Sequence, residues 1–210
     1  MTFTRAIGLS CNKVIKLIVR GLALSKIHPN VLTFIGLVIN IAAAALLAVG
    51  RFRWAGLVIL GAGIFDMVDG RVARETNQVT RFGGFFDSVL DRYSDIALLI
   101  GLLVYYGSIN RPWYVVLTAV VMAASVMTSY TRARAENTIP SCKVGFMERP
   151  ERVVLLIIGA LFDRMAPVLW VIAILGNITV IHRMAFTYQE ARRLEDAQLR
   201  AAPLKQRSSI

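Results

Sequence analysis

Residues 31–50, VLTFIGLVINIAAAALLAVG, run almost without a polar interruption. As helix, at about 1.5 Å per residue, such a run crosses a hydrocarbon core of about 30 Å. Four further apolar stretches follow at residues 54–68, 82–107, 112–130 and 166–184. A shorter one at 150–162 has to borrow length from residues 146–149 or sit where the core is thin. Ahead of the first run, residues 4–27 place Ile7, Val14, Ile15, Ile18, Val19 and Leu22 near one helical face, with Lys13, Lys16 and Arg20 off it. That pattern belongs to a helix lying along a membrane surface. The periodicity therefore predicts an all-α integral membrane protein: six transmembrane helices preceded by an amphipathic juxtamembrane helix. The membrane domain covers residues 1–188, of which 1–27 form the interfacial helix. A cytoplasmic tail follows at 189–210, with a helix ending near Ala202 and a disordered end.

Composition agrees with that pattern and charge orients it. The 210 residues are 56% hydrophobic with a mean hydropathy of +0.60, more apolar than an ordinary soluble domain. The N-terminus lacks the charged, apolar and small-residue order of a signal peptide. A net charge of +11 could suggest nucleic acid, but the basic residues are sorted by loop. Five precede the first span, three lie between the second and third (Arg71, Arg74, Arg81), five between the fourth and fifth, and six follow from Arg183. The opposite loops hold only Arg51, Arg53, Arg111 and Arg164. This is the positive-inside distribution, which puts both termini on the cytoplasmic side of the cell membrane and argues against a nucleic-acid partner. Cys11 and Cys142 form no metal or disulfide pattern, and His28 and His182 are too few for a transition-metal cluster.

Four carboxylates break the apolar pattern. Asp66 and Asp69 lie three apart near the cytoplasmic end of the second span, and Asp87 and Asp91 lie four apart in the first turns of the third. Residues at those spacings share a helical face. A carboxylate in hydrocarbon costs several kcal/mol in most estimates (~3 or more) unless it is paired or hydrated. If the two spans are antiparallel neighbours joined by a loop at 71–81, the pairs meet at one depth and need cations. Oxygen ligands without His or thiolate select magnesium, manganese or calcium, and two divalent ions balance four negative charges. Gly70 and Gly83 bare the backbone beside the acidic pairs, and Arg74 lies one turn beyond Gly70. The competing reading is an ion-pair network with Arg71, Arg74, Arg81 and Arg92, but Arg71 and Arg92 sit beside the acidic face rather than on it.

The spacing D-x2-D-G-x2-A-R-x8-G-x3-D-x3-D resembles the signature of the CDP-alcohol phosphotransferase family. All eight specified positions are present, as Asp66, Asp69, Gly70, Ala73, Arg74, Gly83, Asp87 and Asp91. The resemblance implies a membrane enzyme that moves a substituted phosphate from a CDP-linked donor to an alcohol and releases CMP. It assigns Asp66, Asp69, Asp87 and Asp91 to two Mg2+ ions, with Mn2+ a possible substitute, and Asp91 to general-base catalysis. Asn30, Val31, Leu32, Thr33 and Thr80, together with Asp69, Gly70, Ala73, Arg74 and Gly83, correspond to positions that contact the CDP-linked lipid. A homodimer is also implied.

Residues 129–136, 145–152 and 181–183 (SYTRARAE, GFMERPER and IHR) are similar to the bacterial phosphatidylinositol phosphate synthases. That similarity assigns Arg132, Arg152 and Arg183 to the phosphate of the acceptor, expected to be inositol 1-phosphate, with CDP-diacylglycerol as donor. The first of these positions is usually lysine in that subfamily, and arginine keeps the charge while changing reach and geometry. Arg134 and Arg149 are equally readable as positive-inside charge partnered by Glu136, Glu148 and Glu151. A phosphatidylglycerophosphate synthase would suit the same arginines. A divalent-cation transporter would need the aspartates but not Gly70, Arg74 or the basic trio.

Overall fold

A computed structural model of the chain describes residues 29–75 and 79–207, with side chains described for residues 30–66 and 79–198. The amphipathic segment expected at 4–27 lies outside the described residues. What is described is all helix, in six elements: α1 (Pro29–Ala48), α2 (Phe52–Glu75), α3 (Arg81–Ser108), α4 (Pro112–Ala135), α5 (Arg149–Leu161) and α6 (Met165–Arg207). Each begins within two residues of one of the six apolar stretches. Packing closes a ring in the order α1, α3, α4, α6, α5, α2 and back to α1.

Local chemistry explains the breaks between helices. Gly50, at φ +74°, ends α1, while its own N–H donates to the Leu47 carbonyl and that of Arg51 to the Leu46 carbonyl. Such a left-handed residue is the usual helix stop, and glycine adopts it without steric penalty. Pro112 sits in the first turn of α4, where a missing N–H costs nothing. Thr80 caps α3 by accepting from the Gly83 N–H at 2.9 Å.

One end of the ring is a dry core. The second half of α1, the first half of α2 and the second half of α3 meet there with parts of α4, α5 and α6, through Leu47, Ala55, Ile59, Leu99, Leu102, Val121, Ala160 and Ile172. Gly101 makes the α1–α3 contact this close, since a Cβ there would press into the Ala44 carbonyl oxygen. Large apolar side chains also cover the outside, including Phe34, Val38, Ile41, Val104, Val116 and Ile174. In water such a surface would be an aggregation liability; facing lipid it is solvated.

Among the described residues three helical segments are long and apolar enough to cross a membrane: Asn30–Ala48, Pro112–Ala135 and Met165–Gln198. The other three helices differ for physical reasons. Helices α2 and α3 carry the charged residues of the site, and α5 has 13 residues, about 20 Å of helix. Two expectations are corrected. The segment 71–81 is not all loop, because α2 continues to Glu75. The last helix does not stop near Ala202 but is continuous through Pro203 to Arg207, in a stretch otherwise rich in Ala, Leu, Arg and Gln, all strong helix formers.

Candidate active site

The polar residues gather at the other end of the ring. Asp66 from α2 meets Asp87 and Asp91 from α3, and one carboxylate oxygen of each lies within 4.8 Å of the others. Unscreened, a pair of like charges at that distance repels by roughly 3 kcal/mol at an effective dielectric of 20. Three all-oxygen ligands so close, partly buried, fit a hard divalent cation. Asp69, Gly70, Ala73 and Arg74 belong to α2 by backbone, but their side chains lie outside the described residues. Arg92, beside the acidic face, turns back to the Ser88 carbonyl of its own helix, as its position off that face implied.

Of the expected donor contacts, Thr80, Gly83 and Asn30 come together. A Cβ on Gly83 would stand 3.0 Å from Thr80 Oγ1 and 3.4 Å from Asn30 Oδ1, so bare backbone is what lets these groups converge. Thr33 is buried and Val31 faces outward. Leu32 is 1% exposed, so its side chain belongs to the packing of α1 and only its backbone could meet a ligand.

Arg132 from α4, Arg152 from α5 and Arg183 from α6 all line one cavity of 380 Å3, with Thr128, Ser129 and Glu148. The three are held differently. Arg183, 2% exposed, donates from Nε to the Val144 carbonyl at 2.8 Å, from Nη1 to that of Thr128 at 2.5 Å, and from Nη2 to Glu148 Oε1 at 2.8 Å. Arg132 donates to the same Glu148 oxygen at 2.9 Å. Arg152 is bonded through Nη2 to Asp95 Oδ2 at 2.7 Å, while its Nε and Nη1 are buried without a hydrogen bond among the described residues. An anion entering this cavity would meet three guanidinium groups, one with donors to spare.

The loop bearing Glu148 is pinned onto α6. The Phe146 and Met147 N–H groups donate to Thr179 Oγ1 at 3.2 and 3.1 Å. Gly145, at φ +122°, lies so near α6 that a Cβ would fall 2.5 Å from Thr179 Cγ2. The Glu148 N–H donates to the Glu151 carboxylate at 3.1 Å, which fixes the start of α5.

Two residues join the acidic and basic groups, and neither had been read in those roles. Asp95 follows Asp91 by the four-residue step that separates Asp91 from Asp87, so the acidic stripe of α3 runs one turn deeper. Its position in the stripe was legible; its partner Arg152, 57 residues on, was not. Arg149 is not partnered by glutamates. Its Nη1 lies 2.7 Å from Asp66 Oδ2 and 2.8 Å from Asp91 Oδ1, and its Nε is 3.5 Å from Asp95 Oδ1. The correction has a simple cause: Glu148 is taken by Arg132 and Arg183, and the first turn of α5 aims Arg149 at the carboxylates instead.

The sequence profile described as CDP-alcohol phosphatidyltransferase matches residues 26–189, most of the chain. The chain belongs to this family. The archaetidylinositol phosphate synthase of Pyrococcus horikoshii is 36% identical over 177 residues, covering 84% of this chain and 90% of that protein. The crystal structure of Mycobacterium tuberculosis phosphatidylinositol phosphate synthase with CDP-DAG bound superposes with a TM-score of 0.78 at 30% identity, over 84% of this chain and 94% of that one. The same enzyme in complex with manganese and citrate gives 0.76 at 32% identity, over 83% and 88%. The chain is thus a membrane-associated transferase of phospholipid biosynthesis, and its carboxylate cluster is the candidate seat of the metal.

Proposed function

We propose that this transferase moves a phosphatidyl group from CDP-diacylglycerol to inositol 1-phosphate, giving phosphatidylinositol phosphate and CMP. The observation that carries the acceptor is the cavity lined by Arg132, Arg152 and Arg183 beside the carboxylate cluster. A phosphate dianion entering a partly desolvated site needs such donors, and guanidinium groups bind it with two parallel hydrogen bonds. Glu148 alone faces both Arg132 and Arg183, and Arg152 keeps two donors unused among the described residues, so an unphosphorylated acceptor would leave this donor capacity without a matching anion.

Asp66, Asp69, Asp87 and Asp91 would hold two Mg2+ ions, which supply Lewis-acid polarisation of the donor diphosphate when bound. Mn2+ would serve as a substitute, as the manganese complex of the mycobacterial relative suggests. Asn30, Val31, Leu32, Thr33, Asp69, Gly70, Ala73, Arg74, Thr80 and Gly83 form the donor side. The acceptor hydroxyl attacks the lipid-bearing phosphorus, the bond from that phosphorus to the CMP oxygen breaks, and the pair leaves on CMP. Asp91 is placed by this reading to take the hydroxyl proton, since a carboxylate beside the reacting oxygen can accept it as the new bond forms.

The reading includes six membrane-crossing helices with both termini and the site on the cytoplasmic side, in a homodimer. Sorting of the basic residues supports that orientation. A phosphatidylglycerophosphate synthase is the second reading, because its acceptor also carries a phosphate. The test is CMP release from CDP-diacylglycerol with Mg2+ against inositol 1-phosphate, glycerol 3-phosphate, free inositol and serine. Turnover with inositol 1-phosphate alone is the expected result, and turnover with free inositol or serine would overturn the acceptor assignment.

A further inference from the structure

Arg149 is the cation of the acidic cluster and also a wall of the basic cavity. A second cavity, of 340 Å3, is mostly apolar but ends in Asp66, Asp95 and Arg149, and Arg149 and Pro150 line both spaces. We propose that Arg149 is a catalytic residue: at rest its guanidinium neutralises Asp66 and Asp91, and in the loaded enzyme it binds the phosphoryl group in transfer. The proposal rests on the transferase reading given above.

The resting contact and a bound divalent ion exclude each other. Nη1 alone makes both short contacts, to Asp66 Oδ2 and Asp91 Oδ1. A small divalent ion binds carboxylate oxygen at about 2.0–2.6 Å, so an ion on Asp66 and Asp91 and a guanidinium on the same two carboxylates would stand at repulsive range. The backbone cannot carry Arg149 far, because Glu148 is held by Arg132, Arg183 and Glu151, and Pro150 stiffens the next step. The side chain therefore gives way by rotation. Asp95 Oδ1, 3.5 Å from Nε, is not among the clustered oxygens and remains as its anchor. Nε is buried and makes no hydrogen bond among the described residues in the resting state, so it is free to shorten its contact with Asp95 as the side chain turns.

Rotation away from Asp66 and Asp91 leaves the guanidinium between the acidic cluster and the arginine cavity. There the acceptor oxygen bonds to phosphorus while the bond to CMP breaks and its electron pair departs with CMP. Negative charge on the non-bridging oxygens is what a planar guanidinium stabilises in such transfers. Lysine would supply charge without the two-pronged geometry.

The test uses full-length protein in lipid nanodiscs, with Mn2+ titrated by calorimetry and CMP release followed with CDP-diacylglycerol and inositol 1-phosphate. Arg149→Ala is expected to bind Mn2+ about tenfold more tightly, the scale on which a neighbouring cation changes a carboxylate's proton affinity. Its kcat is expected to fall about 100-fold or more, as when a transition-state donor is removed. Arg149→Lys should keep Mn2+ affinity near wild type and still lose about tenfold or more in kcat. Unchanged or weaker Mn2+ binding in Arg149→Ala would mean that Arg149 does not occupy the cation's place. Tighter binding with wild-type kcat would leave it a resting counter-ion only, and either result overturns the proposal. Should Arg149→Ala fail to fold, wild-type kcat in Arg149→Lys would do the same. A wild-type protein that binds Mn2+ but releases no CMP with any acceptor instead sinks the transferase reading itself.

Discussion

Replacing Arg152 by Met keeps most of the side-chain volume and removes the partner of Asp95. The two groups are 2.7 Å apart, with side chains 4% and 9% exposed, so little water reaches Asp95 once that bond is gone, and only the longer 3.5 Å contact with Arg149 Nε remains. Breaking a buried ion pair from one side costs about 3–5 kcal/mol, because the surviving charge stays desolvated. For a chain of this size each kcal/mol is worth about 2–4 °C, which predicts a fall of about 10 °C in the thermal midpoint. Asp95→Asn should cost less than Arg152→Met, since the Arg152 left behind faces a polar cavity that water or an anion can enter, while the Asp95 left behind faces a mostly apolar one. The double variant Asp95→Asn/Arg152→Met removes both charges of the pair. It should recover half or more of the loss, leaving an unpaired amide worth about 1–3 kcal/mol. The assay is thermal unfolding of wild type, both single variants and the double variant in one detergent, treated as a double-mutant cycle. Additive losses, or a single-variant cost below about 1 kcal/mol, the range of an exposed pair, would refute a buried and coupled pair.

Three other outcomes are expected. Gly101→Ala should destabilise by about 1–3 kcal/mol or more, because its Cβ meets the Ala44 backbone and two helices must separate; Gly107→Ala, with no atom within 4 Å, is the neutral control in the same melt. Gly145→Ala strains a positive φ and crowds Thr179 and Arg183, so steady-state kinetics should show a raised KM for inositol 1-phosphate with donor affinity kept. Asp91→Asn should retain CDP-lipid binding and lose CMP release by about 100-fold or more, the scale of general-base catalysis, and full turnover would remove Asp91 from the proton transfer.

How much of this was legible before the structure depended on the distance over which each signal acts. Helix positions and the acidic motif are local: apolar runs mark all six helices to within a few residues at most ends, and three- and four-residue spacings put Asp87 and Asp91 on one face. The extra turns of α2 are charged, helix-forming sequence with no apolar run to mark their limit, and the last residues of α6 lie past Pro203, which reads as a helix stop. Arg132, Arg152 and Arg183 came from resemblance, and the cavity they share supports that grouping. What no local pattern held was the partner of each charge. Arg149 and Asp66 stand 83 residues apart, and nothing near Arg149 distinguishes an ion pair with Asp66 from one with Glu136 or Glu151. Ring closure decides it: α5 packs against both α2 and α6, so adjacent residues at its start face opposite ways, Glu148 to the arginines and Arg149 to the aspartates. The dipeptide thereby gives each half of the site an internal partner of the opposite charge. A site that, on the proposed function, admits both a metal and a phosphate is thus kept near neutrality when neither is bound, which accounts for so many ionisable groups sharing one end of the ring.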